Sequence, residues 1–244
     1  MLSRLIMLMK AGVIPLVDAA DFDGTNDYML RGAGLTGAAD SKTGIFSCWY
    51  RVDGGDWENR RLLDNAIGSA IINHGSDNKI SFEIITSGAG MVANTSVLLA
   101  SSAYHHILCS WNVATAGTGR IYVDDVSDFT STLYTDVLID LTTTDWSIGS
   151  TTGGAGKLNG CLAEYYFAPG QYLDFNTESN RRKFISATKR PVNLGADGST
   201  PTGTAPIIFQ RVALGAAAST FATNLGSGGS FTITGTLDIA STSP

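Results

Sequence analysis

The sequence predicts an all-β fold: an antiparallel β-sandwich with one short helix and extended terminal arms. Three observations carry that expectation. Twenty-eight glycines among 244 residues, with only 16% charged side chains, suit short strands joined by tight turns rather than long helices. Runs of β-forming residues with polar tips follow one another through the first two thirds of the chain. Finally, residues 104–125 read as a hairpin. Tyr-His-His-Ile-Leu-Cys-Ser-Trp and Arg-Ile-Tyr-Val-Asp-Asp flank a connection over 112–119 that is rich in Gly, Ala and Thr.

In chain order, residues 1–19 are an apolar N-terminal arm. Lys10 interrupts the apolar run and Pro15 follows, so the segment is too short and too broken to span a bilayer. Ala19-Ala20 could pass for a processing site, but the arm is expected to pack on its own sandwich or on a neighbouring subunit. Residues 20–170 form the sandwich. Two short strands flank a Gly/Asn/Asp turn over 20–29, and a strong β run follows at 44–52. Short strands come at 60–65, 69–74 and 79–86, then the hairpin, a strand at 144–149, a Gly-rich tip at 153–156 and a strand over 157–168. Over 171–191 the period changes. Asp174, Thr177 and Glu178 precede Arg181, Arg182 and Lys183, with Phe184, Ile185 and Ala187 as an apolar stripe and Pro191 as the stop. That charge order complements a helix dipole and predicts a short helix with its connector. Residues 192–244 alternate turn chemistry with short apolar runs, giving further strands or arms rather than a second core.

The hairpin also resembles a family hallmark. Laminin-G-like, concanavalin A-type jelly rolls carry an aromatic-His-His-apolar-x-x-Ser-Trp strand followed by Gly-x-apolar-Tyr-Val-Asp, and both halves stand here in order. Phe22-Asp23-Gly24 near the start is similar to the family's opening. Asn159, Gly160 and Glu164 occupy its Asn-Gly-x-apolar-x-Glu-apolar closing strand. The likeness covers roughly residues 20–168 and implies an antiparallel concanavalin A-like jelly roll. The segment from Lys189 through Asn224 and Thr236 resembles the extension on laminin-G-like proteins of tailed bacteriophages. That second resemblance implies a non-enzymatic virion structural protein: a head decoration or spike protein, or a tail or fibre component. Its partners would be other capsid or tail proteins and further copies of itself, assembled in the host cytoplasm into the virion. The alternative is a lectin-like module that binds host surface glycan.

Composition and motifs narrow the chemistry. A formal charge of -6 opposes nucleic acid and anionic lipid, so neither nucleic-acid binding nor membrane insertion is expected. The basic cluster Arg181, Arg182, Lys183, Lys189 and Arg190 reads as a solvated helix face or a contact with an acidic neighbour. Cys48, Cys109 and Cys161 are odd in number and lie in apolar runs, which fits buried free thiols.

Glycosidases of this superfamily use a Glu-x-Asp-x-x-Glu strand, and it is absent. The four glutamates are Glu58, Glu83, Glu164 and Glu178, none with an acidic partner two positions away on a strand-like segment. Glu164 is expected to be a hydrogen-bonded structural residue, and no enzymatic activity is expected. Neighbouring strand residues His105 and His106 point to opposite faces and cannot jointly chelate one ion, so zinc has little support.

Calcium is the one cofactor with candidate donors: Asp23, Asn26 and Asp27, and Asp124 with Asp125. Neither group follows a calcium-loop spacing, and Asx turn capping is the competing role. Trp57 and Tyr134 lie in polar stretches and are the glycan-stacking candidates, set against the ordinary exposure of single aromatics.

Overall fold

The computed structural model describes residues 17–54, 58–96, 99 and 103–244. Among them are two eight-stranded sheets in which every pairing is antiparallel. The first runs β11 (Val126–Ser127), β10 (Arg120–Val123), β9 (His105–Asn112), β4 (Thr43–Val52), β14 (Asn159–Pro169), β2 (Ala20–Asp23) and β18 (Asp238–Ile239), with β15 (Ile208–Gln210) also paired to β14. The second runs β12 (Thr130–Tyr134), β8 (Ala89–Asn94), β7 (Ile80–Thr86), β6 (Ala70–His74), β5 (Arg60–Asn65), β13 (Trp146–Ile148), β3 (Tyr28–Arg31) and β17 (Thr232–Thr234). A small ladder joins β1 (Val17–Asp18) to β16 (Val212–Ala213).

Strand alternation assigns the core. Phe46, Cys48 and Tyr50 of β4, Ile107, Cys109 and Trp111 of β9, and Leu162, Tyr165 and Phe167 of β14 point toward the second sheet. They meet Leu63, Ile72, Phe82, Ile84 and Trp146 in one buried cluster. Phe46 stands edge-on to Phe82 and Tyr165, with ring centroids 5.6 and 5.3 Å away, the arrangement the ring quadrupole favours. All three cysteines are free and buried.

The outer face of the first sheet is buried as well. Phe175, Phe184, Leu194 and Phe209 cover Ile45, Leu108 and Tyr166, while Val17, Ile185 and Ala240 cover Trp49, Cys161 and Ala163. Residues 192–244 are therefore strands and cover built into the sandwich, with β15, β17 and β18 extending both sheets. A sheet buried on two sides needs near-continuous apolar strands, which explains Gly-Ile-Phe-Ser-Cys-Trp-Tyr in β4 and Cys-Leu-Ala-Glu-Tyr-Tyr-Phe in β14. By contrast, β6 and β7 of the second sheet alternate buried with half-buried residues, so among the described residues that sheet keeps one open face.

The expected short helix is present as a single turn. Within 171–191 only α1 (Glu178–Arg181) is helical, because the adjacent Phe184 and Ile185 are drawn into different clusters and cannot share one helix face. The chain instead closes a turn from Ser186 to Arg190. Two of the basic residues here make the expected contact with an acidic neighbour. Arg181 and Arg182 both bind the carboxylate of Asp125, at 2.5 and 2.7 Å. No described helix is long and apolar enough to cross a membrane.

Gly160 shows how closely the strands approach. A Cβ built there would lie 2.1 Å from the Arg51 carbonyl oxygen, and the residue sits at φ +153°. Gly160→Ala must therefore push β14 away from β4, and a loss of about 2 kcal/mol is expected in urea unfolding. An unchanged midpoint would contradict this packing.

Candidate functional site

Each candidate calcium-binding carboxylate has a structural task. Asp23 Oδ1 accepts the backbone N–H of Thr25, Asn26 and Asp27 at 2.7, 3.0 and 3.2 Å. Burial raises the Asp23 carboxyl, but these backbone donors outweigh it and hold it below the ordinary range. Asp27 Oδ1 accepts the Thr236 N–H at 2.7 Å, pinning the C-terminal extension to this turn. Asp124 and Asp125 form the two-residue connection between β10 and β11, both at positive φ (51° and 67°), which a type I′ hairpin requires and Asp tolerates. Asp124 binds His105 Nδ1 at 2.7 Å and the His106 N–H at 2.8 Å. The two groups occupy separate turns, and their oxygens serve as caps and ion-pair partners.

Trp57 lies outside the described residues. Tyr134 is half-buried, packs against the inner core and donates its hydroxyl to the Asn112 carbonyl at 2.8 Å, with Thr118 Oγ1 at 2.9 Å. It thus ties the β9–β10 connection. His106 is buried under the outer cover, with Nε2 2.9 Å from Ser47 Oγ and its ring 5.0 Å from Trp49. Burial lowers it to about 3, against the pull of Asp124 and Asp125, so it is neutral.

Glu164 departs from its expected role. It sits at φ +47° in a bulge of β14, where the register to β4 shifts between Ala163 and Tyr166. Neither carboxylate oxygen has a hydrogen-bond partner among the described residues. Burial pushes it up to about 7, with Arg211 opposing. The bulge thus leaves a buried carboxyl without the expected hydrogen bond.

The open face of the second sheet is the surface the fold leaves available. Register aligns Arg61, Asn73, Ser81 and Asn94 in one row across β5, β6, β7 and β8. Ile71, Glu83, Val92 and Leu133 make the next row, across β6, β7, β8 and β12. All eight side chains are half-buried. Ile85 continues the same face along β7 into a cleft of about 430 Å³ between the β5–β6 and β7–β8 turns, lined by Ile67, Ser69, Ile85, Thr86, Ser87 and Asp140. Ile67 is 55% exposed at its lip. Amide, hydroxyl, carboxylate and guanidinium groups beside aliphatic surface can bind a polyhydroxylated ligand by hydrogen bonds and by contact with its apolar faces. The row was hidden in the sequence. Alternation identifies two faces per strand, and only the covered outer face of the first sheet shows which surface remains.

A second polar group was also missed. Cys161 Sγ lies 3.2 Å from Asp53 Oδ2 and 3.5 Å from Asp21 Oδ1, and Arg51 clasps Asp53 through Nε at 2.5 Å and Nη2 at 2.6 Å. These residues are separated by up to 140 positions and meet only through strand register.

Known proteins supply the comparison. No curated protein matches the sequence. Among solved structures, the chain is similar to a Bacteroides ovatus protein described as carbohydrate binding, at 13% identity and a TM-score of 0.67, over 95% of this chain and 62% of that one. It thus spans under two thirds of that protein's length. It is also similar to the heptameric SAP-like pentraxin of Limulus polyphemus, at 11% identity and a TM-score of 0.50, over 68% of this chain and 82% of that one. At such identities the likeness is one of fold. The Laminin_G_3 family model matches residues 23–169, the span that holds β3 to β14 and the open polar face. The chain belongs to the concanavalin A-like lectin/glucanases superfamily.

Proposed function

We propose that this protein is a carbohydrate-binding module, and that the open face of β5, β6, β7 and β8 with its adjoining cleft receives the glycan. The observation that carries the reading is the asymmetry of the sandwich. The first sheet is sealed on both faces, and the second presents two rows containing Arg61, Asn73, Ser81, Glu83 and Asn94. The carbohydrate-binding description of the Bacteroides ovatus protein supports the same reading. Sugar hydroxyls would pair with Ser81, Glu83, Asn94 and the amide nitrogen of Asn73, whose carbonyl oxygen is enclosed, and the apolar edge of a ring would rest on Ile85 and Ile67. Glu83 is the one carboxylate in the two rows, whereas glycoside hydrolysis needs a positioned pair. The virion role implied by the terminal segments has less behind it. Residues 192–244 are part of the sandwich, residues 1–16 fall outside the described ones, and neither similar structure above is described as a virion protein.

A glycan panel tests this. Wild-type protein should bind a defined subset, and Asn73→Ala combined with Glu83→Ala should weaken that binding at least tenfold, about 1.4 kcal/mol, with an unchanged melting temperature. Equal binding by the double variant, or no binding across the panel, would remove the proposal.

A further inference from the structure

Beneath the C-terminal residues, the outer face of the first sheet carries a polar row unrelated to the glycan surface. Asp238 of β18 pairs with Asp21 of β2, Asp21 with Cys161 of β14, and Cys161 with Arg51 of β4. Tyr104 follows, its ring 5.1 Å from the Arg51 guanidinium carbon. The chain end closes over this row. Arg51 Nη1 donates to Thr242 Oγ1, and the Tyr104 hydroxyl donates to the Thr242 carbonyl at 2.8 Å.

The row is short of positive charge. Like charges directly opposite each other on paired strands repel, and Asp21 faces Asp238 in that relation. Asp53 adds a third carboxylate, and Arg51 is the one cation bonded within the group. Cys161 is fully buried and touches a carboxylate oxygen on each side. A thiol has a single proton, which can serve one of those contacts and leaves the other as lone pair against lone pair.

We infer that Asp21, Asp53 and Cys161 form a binding site for a divalent transition-metal ion of the zinc class. The three donor atoms lie within 4.8 Å of one another. A tetrahedral zinc ion, with bonds of about 2.3 Å to sulfur and 2.0 Å to oxygen, sets its sulfur and oxygen ligands about 3.5 Å apart. The two sulfur-to-oxygen separations, 3.2 and 3.5 Å, are close to the sulfur–oxygen edge such an ion sets. Arg51 orients Asp53 from behind, as outer partners of ligating carboxylates do. On binding, the Cys161 S–H bond breaks, the proton leaves to solvent and the sulfur–metal bond forms. The ion also screens Asp21 from Asp238.

Cobalt(II) is the probe, added alone to the full, untagged chain. The expected result is a thiolate-to-cobalt charge-transfer band in the near ultraviolet that zinc displaces. Cys161→Ser should abolish the band, while Cys48→Ser, altered in the inner core, should keep it. Asp21→Asn, at a half-buried position, should weaken cobalt binding at least tenfold and provides the test if Cys161→Ser fails to fold. Absence of the band in folded wild-type protein at millimolar cobalt, its persistence in folded Cys161→Ser, or unchanged affinity in Asp21→Asn would overturn the site. None of these readouts involves a glycan.

Discussion

Replacing Trp111 with alanine should cost about 4 kcal/mol and lower the melting temperature by about 10 °C for a chain of this size. The indole is fully buried between the sheets, with Phe167 at 6.2 Å and Trp146 beyond it, 5.9 Å from Phe167. Its ring lies over Gly44, its partner on β4. A Cβ at Gly44 would stand 1.9 Å from Trp111 Cζ2. Deleting the indole therefore opens a void that no neighbour is shaped to fill, and interior packing is dense enough for such voids to count. The converse change, Gly44→Ala, would drive a methyl group into the ring and should also destabilise, by less. Urea unfolding of both variants checks the pair. A loss below about 1 kcal/mol for Trp111→Ala would mean that the indole is not the packed centre described here.

Glu164→Gln should stabilise the protein above neutral pH and leave it unchanged in acid. Burial raises the folded-state Glu164 from its ordinary 4.5 to about 7, so the folded chain holds this proton more tightly than the unfolded chain. Below about pH 4.5 both states are protonated and the favourable contribution is fully present. It is lost as pH rises through about 7, where the folded state must ionise an unpartnered carboxyl under an apolar cover. The accumulated penalty is about 3 kcal/mol. Glutamine cannot ionise, so the difference between variant and wild type should grow from zero near pH 4 toward that value at pH 8. Arg211 acts on Glu164 in the opposite sense, and Arg211→Ala should enlarge the wild-type loss. Parallel stability curves for Glu164→Gln and wild type across this range would contradict the account.

Much of the fold was legible because its central strands carry strong local signals. β4, β9 and β14 are buried on both faces and read as apolar runs, and the hairpin that joins β9 to β10 holds the family's Trp and Tyr-Val-Asp. β8 and β12 were not legible. Gly90 and Gly88 in Ser-Gly-Ala-Gly look like a turn alone, yet Gly90 belongs to β8, where a Cβ would lie 2.2 Å from the Ile84 carbonyl oxygen. β12 is an exposed edge strand of Thr, Ser and Leu, with little apolar periodicity to announce it. The short helix was legible from its charge order.

The sites were less legible than the fold for one reason. The capping roles of Asp23 and Asp124 follow from local turn chemistry and were anticipated as the alternative to calcium. The open polar rows and the Asp21–Asp53–Cys161 group depend on which residues become neighbours across strands. Alternation states which face a residue takes, but register states whom it meets, and register between strands far apart in sequence is set by the packed core.

The central claim is that the open face of the second sheet binds carbohydrate. Its most direct test is a nuclear magnetic resonance titration of isotope-labelled protein with the best-binding sugar from a glycan panel. The account predicts saturable shifts at Asn73, Ser81, Glu83, Ile85 and Asn94, absent in the Asn73→Ala, Glu83→Ala double variant. Shifts confined to the first sheet or its C-terminal cover, with the open face silent, would contradict it.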